Sequence, residues 1–144
     1  MNLNHGKYLG VDYGDKRTGL AECDLSGMLA SGIGTISEGG MRKTAERVAR
    51  EAESRLCKKI IIGLPKNMDG SEGQRTEVIR AFAALVSEYT KIEIDFYDER
   101  MTTMMAYRYM GEVGTFGKKR KNNVDTLSAE IILQSYLDRE RAKG

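Results

Sequence analysis

The sequence predicts an α/β fold: a mixed five-stranded sheet, built as a three-strand antiparallel meander followed by α/β units and flanked by helices. Three observations predict it. Short apolar runs separated by glycine-containing turns crowd the first 36 residues, as in a meander. Beyond residue 40 the apolar residues take a helical period, and strand-like and helix-like segments then alternate. The run Lys59-Ile60-Ile61-Ile62-Gly63-Leu64 has the β-branched density of a strand covered on both faces.

The elements follow in order. Residues 7–11 form a first strand that delivers a carboxylate, Asp12. Gly14-Asp15 reads as a tight hairpin turn, and the basic pair Lys16-Arg17 follows it. Residues 18–22 return as the second strand, and residues 28–36 hold the third, interrupted by Gly32 and Gly34. Met41, Ala45, Val48, Ala49, Ala52 and Leu56 recur at helical spacing and predict the first helix. The isoleucine strand runs to Pro65, the only proline, and residues 67–70 form a turn. Ser71-Glu72-Gly73-Gln74 has the spacing of a capping box and opens a second helix, with Val78, Phe82, Leu85, Val86 and Tyr89 on its buried face. Ile92-Glu93-Ile94-Asp95-Phe96 alternates, which predicts a strand near a sheet edge, ending in Asp98-Glu99-Arg100. Thr102 or Thr103 caps a short methionine-rich helix reaching about Met110. Residues 111–123, rich in glycine and lysine, read as a mobile loop. A last helix runs from near Val124-Asp125 to about Arg139, with Leu127, Ile131, Ile132, Leu133 and Tyr136 as its apolar positions.

A chain of 144 residues, 40% of them apolar, fits one domain spanning residues 1–144 with a proper core. The net charge is only +2, so affinity for nucleic acid must be argued from local clusters. No stretch is long and apolar enough to span a membrane, and the first residues lack the apolar core of a signal peptide, so the cytoplasm is the expected location. Cys23 and Cys57 lack metal-type spacing and read as buried thiols of a reducing compartment. The single histidine, His5, lies at the N-terminus, so Ser-His and Cys-His mechanisms have no interior imidazole to draw on. Carboxylates, alone or with a metal, are the chemical groups that remain.

Four acids stand at element ends: Asp12 after the first strand, Asp98 and Glu99 after the last, and Asp125 at the start of the final helix. If the strands bearing the first of these run parallel, their acids share one sheet edge, where sites in such sheets form. A helix packed beside that edge brings in Asp125. Hard Mg²⁺ or Mn²⁺ suits such oxygen ligands. Each acid alone also has an ordinary explanation, as a helix cap, a turn or a surface ion pair.

In four segments the chain resembles the YqgF family, also called RuvX. LGVDYGDKRTGLA is similar to the family's first strand and hairpin, IIIGLPKNMDGSEG to its central strand and following loop, YDERMTT to its DER-T motif, and VDTLSAEIILQSYLD to its last helix. The resemblance implies a ribonuclease H-like fold. It also implies the activity of a metal-dependent endonuclease, described for the family as pre-16S ribosomal RNA nuclease or Holliday junction resolvase. It implies that Asp12, Glu99 and Asp125 are catalytic and bind Mg²⁺ or Mn²⁺. Of the neighbours Asp98 and Glu99, strand alternation lets one face the site easily, and the longer Glu99 is favoured. Many ribonuclease H-like nucleases carry an acid at the end of the fourth strand, whereas Gly63-Leu64-Pro65 has none.

Basic residues surround these acids in sequence. Lys118, Lys119, Arg120 and Lys121 form the one dense cluster, while Lys16, Arg17 and Arg100 adjoin acids. Cations around an acidic centre suit a phosphodiester partner held by its backbone. Asn67 is a candidate for the cleft wall. Structured nucleic acid is the expected partner, precursor ribosomal RNA before branched DNA, with precursor ribosomal particles a further candidate. A monomer or a homodimer both fit, and paired cuts in a DNA junction would favour the latter. A non-catalytic RNA- or ribosome-binding module is the alternative that the missing fourth-strand acid supports. Nucleotide hydrolysis, suggested by Asp12-Tyr13-Gly14, needs a second domain that 144 residues cannot supply.

Overall fold

The structure, a computed structural model, describes residues 6–37, 39–101 and 124–143, apart from the side chains of Met101, Val124 and Asp125. Its elements are β1 (Lys7–Asp12), β2 (Thr18–Cys23), β3 (Ala30–Ile36), α1 (Met41–Ser54), β4 (Cys57–Leu64), α2 (Gln74–Tyr89), β5 (Glu93–Asp98), a 3-10 turn (Glu99–Met101) and α3 (Val124–Ala142). The strands make one sheet in the order β3-β2-β1-β4-β5. β1, β2 and β3 pair antiparallel as the expected meander, whereas β1, β4 and β5 run parallel. The alternating β5 lies at a sheet edge, as its wetter face predicts. The methionine-rich helix to Met110 and the basic loop at 111–123 fall outside the described residues.

Strand alternation sorts the core into two layers. Leu9, Val11, Ile60, Ile62 and Leu64 point to one face, where they meet Val48 and Ala52 of α1 and Ile79, Phe82 and Val86 of α2. Tyr8, Ile61 and Tyr97 point to the other, against Ala129, Ile132, Leu133 and Tyr136 of α3. Ile60, Ile61 and Ile62 are all fully buried, so β4 is covered from both sides. Each such side chain contributes roughly 1.5–3 kcal/mol on burial. Gly10 lets α3 come close to β1, since a Cβ there would stand 2.7 Å from Cβ of Leu133.

Two helix expectations are corrected. Leu56 is not the last core position of α1: it lies beyond the helix at φ 59° and is 82% exposed. The chain must reverse into β4 at Cys57. A left-handed residue there lets the Arg55 and Leu56 amides close on the Glu51 and Glu53 carbonyls. The capping box at Ser71 does not form either. Gly73 occupies the N-cap position, and the Ser71 hydroxyl donates to Asp69 at 2.6 Å, because Asp69 organises its own turn first. Of the expected stripe, Phe82 and Val86 are buried and Val78 and Leu85 are partly buried against the same core; Thr76, Ile79 and Ala83 join that face, while Tyr89 is 38% exposed.

Candidate active site

Because β1, β4 and β5 are parallel, Asp12, Leu64 and Asp98 end their strands at one edge of the sheet. Alternation then decides which face each acid takes. Asp12 is in phase with Tyr8 and Gly10, which face α3. Tyr97 also faces α3, Asp98 is out of phase with it, and Glu99 opens the 3-10 turn that follows the strand. The Glu99 carboxyl lies over the end of β4, where a Cβ on Gly63 would stand 2.9 Å from its Oε2. Gly63 is therefore the gap that admits this side chain.

Glu99 is only partly exposed. Burial, and then the negative charge of Asp12, push its carboxyl above the ordinary glutamate range, and the Arg75 guanidinium pulls the other way. Asp98 has a different environment. Arg100 grips it through Nη2 at 2.7 Å and Nε at 3.1 Å, and the Arg100 backbone N–H donates to Oδ1 at 2.9 Å. These bonds hold the Asp98 carboxyl below its usual range. Of the two neighbouring acids, then, Glu99 shares a field with Asp12 and Asp98 closes the turn.

The expected cations divide into three groups. Lys16 and Arg17 are exposed in the loop that directly follows Asp12 and Tyr13. Arg100, read from sequence as a phosphate contact, is engaged by Asp98 and by the Met68 carbonyl, to which Nη1 donates at 3.2 Å. The 3-10 turn brings it back over its own strand end, and it ties β5 to the loop between β4 and α2. Lys118, Lys119, Arg120 and Lys121 lie outside the described residues. So does the side chain of Asp125, whose backbone begins the first turn of α3. Asn67 shapes the β4–α2 loop: its amide donates to Ser71 Oγ at 3.0 Å, and its carbonyl accepts from Gly70 N–H at 2.9 Å.

Sequence reasoning missed Arg75. It stands in the first turn of α2 and reaches across to the loop after Asp12. There it donates to the Tyr13 carbonyl at 2.9 Å and to Asp15 at 3.0 Å, with its guanidinium over the Tyr13 ring. Nothing local marks it, since one of the two arginines on an amphipathic helix looks like ordinary surface. Only the packing of α2 on β1 and β4 gives it this role.

Among the described residues no three acids, cysteines or histidines gather into a complete metal cage. The two described acids nevertheless fit a hard cation. They offer only oxygen donors, and the upward push on Glu99 from Asp12 is the mutual repulsion that a bound cation would relieve.

Comparison with known proteins bears on the family and the fold. The RuvX family model, described as Holliday junction resolvase, matches residues 6–139. A protein of Clostridioides difficile (strain 630) named "Putative pre-16S rRNA nuclease" is 41% identical over 92% of this chain and 94% of its own length. A protein of the same name from Ruminiclostridium cellulolyticum is 41% identical over the same shares. Among solved structures, T. thermophilus RuvC in complex with a Holliday junction substrate superposes with a TM-score of 0.66 at 12% identity, covering 96% of each chain. That likeness shows the fold, which is ribonuclease H-like as expected. With the family model matching residues 6–139 of this chain and relatives at this identity, the chain belongs to the RuvX family.

Proposed function

We propose that this protein is a divalent-metal-dependent endonuclease of the cytoplasm that hydrolyses phosphodiester bonds in structured nucleic acid, with precursor 16S ribosomal RNA as its substrate. The observation that carries the reading is the meeting of Asp12 and Glu99 on one face of the sheet edge, with Glu99 pushed up by burial and then by the charge of Asp12. The relatives' names supply the substrate class.

In this reading Asp12, Glu99 and Asp125 hold Mg²⁺ or Mn²⁺. When bound, the ion supplies an activated water and charge stabilisation at the phosphoryl group. The protein's own part is positional and electrostatic. Gly63 leaves room for the Glu99 carboxyl over β4. Arg75 fixes the loop after Asp12 by its bond to the Tyr13 carbonyl and favours the ionised form of Glu99. Arg100 keeps Asp98 turned to its own bonds, so that the neighbouring carboxylates do not compete for one place. Lys16, Arg17 and the cluster Lys118 to Lys121 hold flanking phosphates.

A labelled precursor 16S transcript incubated with the purified protein and Mg²⁺ or Mn²⁺ tests this. Cleavage is expected with metal and none with EDTA. The family description makes a four-way DNA junction the second substrate to assay. Failure on both substrates, with RNA binding retained, would replace the nuclease by an RNA-binding module.

A further inference from the structure

β3 stands at the other edge of the described sheet, and the backbone groups on its outer side need partners. α3 supplies them through side chains. Ala30 N–H donates to Gln134 Oε1 at 2.9 Å, and Gly32 N–H donates to Glu130 Oε1 at 3.0 Å. The Gln134 amide donates to the Met28 carbonyl at 3.0 Å, and Arg141 Nη1 donates to the Gly27 carbonyl at 3.1 Å. The two repeats are commensurate. One i,i+4 step along a helix advances about 6 Å, and two residues of a strand advance about 6.6 Å. Helix positions 130 and 134 can thus meet strand amides 32 and 30 together, and a slide of α3 by one residue breaks both bonds.

Burial points the same way. Glu130 is 4% exposed and Gln134 is 2% exposed. Glu130 Oε2 has no hydrogen-bond partner among the described residues. Burying such a group costs stability that an apolar side chain would not. The polar pair is thus better explained by registration than by cohesion. Gly32 belongs to the same device, because a Cβ there would stand 2.8 Å from Thr126 Oγ1.

We infer that Glu130 and Gln134 are positioning residues for the nuclease site: they lock α3 onto β3 and so set the axial position of its first turn, which carries Asp125. Glu130 follows Asp125 by five positions, about 7.5 Å along the helix. The inference rests on the nuclease reading, and its test keeps the two apart.

Glu130→Ala, Glu130→Gln, Gln134→Ala and a control, Val86→Ala, are made in the full chain. Val86 is a buried residue of α2, in the core layer on the face of the sheet opposite α3. Mn²⁺ affinity by calorimetry, kcat and KM for cleavage, and Tm are measured for each. E130A is expected to weaken Mn²⁺ binding and lower kcat by about 10–100-fold, as removal of a group that orients a metal ligand does, with KM little changed. Q134A is expected to act in the same direction, and E130Q, which keeps an acceptor for Gly32 N–H, to restore most of both. V86A should lower Tm and leave Mn²⁺ affinity as in the wild type. The inference is overturned if E130A and Q134A lower Tm as V86A does and keep wild-type Mn²⁺ affinity and kcat. Should E130A fail to fold, Q134A and E130Q decide. If the wild type binds Mn²⁺ but cleaves nothing, the nuclease reading fails and the positioning role is judged on Mn²⁺ affinity alone. If the wild type binds no Mn²⁺, both fall.

Discussion

Glu99 Oε2 occupies the space that a side chain on Gly63 would claim, with 2.9 Å between that oxygen and the Cβ position. An added methyl would also press on Ile132, so Gly63→Ala must move the acid or the helix face above it. Overpacking of this kind costs about 1–3 kcal/mol. The expected result is a lower urea midpoint, and a loss of cleavage larger than the lost stability explains. Wild-type activity in Gly63→Ala would show that the Glu99 position is not needed.

The ionisation of Glu99 gives a second expectation. Its folded-state pKa is raised above the ordinary 4.5, by burial first and the Asp12 charge second. The folded chain without metal therefore binds this proton more tightly than the unfolded chain. The resulting stability is full below pH 4.5 and is lost as pH rises through the folded value. Asp12→Asn removes the repulsion and should lower the Glu99 pKa, though not to the ordinary value, because burial remains. Arg75→Ala should raise it further. Carboxyl titration followed by NMR reads both directions, and opposite signs would rule out the Asp12–Glu99 coupling.

Cleavage tests the acids directly. Asp12→Asn should fold, retain RNA binding and lose more turnover than the ~10–100-fold typical of groups that only orient a metal ligand. Arg75→Ala should show a smaller loss that eases at higher pH, where Glu99 ionises without help. A pH-independent deficit would mean that Arg75 acts by holding the loop at Tyr13 alone.

Salt dependence separates the two kinds of cation. Neutralising Lys118, Lys119, Arg120 and Lys121 together should reduce the slope of log K against log salt by about 0.7–0.9 for each phosphate no longer neutralised. Arg100→Ala should scarcely change that slope, because Asp98 already balances its charge. Its effect should appear as looser packing between β5 and the loop at Met68. Filter-binding titrations at several salt concentrations distinguish the two variants.

Phe82 links the core to the site. It is fully buried and stacks on Tyr13, ring centroids 4.3 Å apart, one residue beyond Asp12. Phe82→Ala should cost about 3–5 kcal/mol in a urea melt. A cost under about 1 kcal/mol, well below that range, would place the anchoring of the Asp12 loop elsewhere.

Patterns of period two carried most of what was legible in the sequence. The isoleucines of β4 announced a strand covered on both faces, and Ile92 to Phe96 announced an edge. The same alternation predicts that Asp98 and Glu99 part, and the choice of Glu99 rests on its longer side chain; its place over Gly63 emerges only from the folded sheet edge. Features that depend on a distant segment were not legible. Leu56 continues the apolar pattern of α1 and leaves the helix only because β4 must begin at Cys57. Ser71 has capping spacing but is captured by Asp69. Arg75 and Glu130 look like surface charges until α2 and α3 are docked on the sheet.

Edge strands tempt other chains to add on, and β3, with two glycines and few bulky side chains, would be an easy template. Its outward amides at Ala30 and Gly32 already donate to the protein's own last helix. Strand addition from a neighbouring molecule must first strip that helix away. Self-association through cross-β growth at this edge is thereby tied to the loss of α3, and a chain truncated before α3 should aggregate where the intact chain stays dispersed.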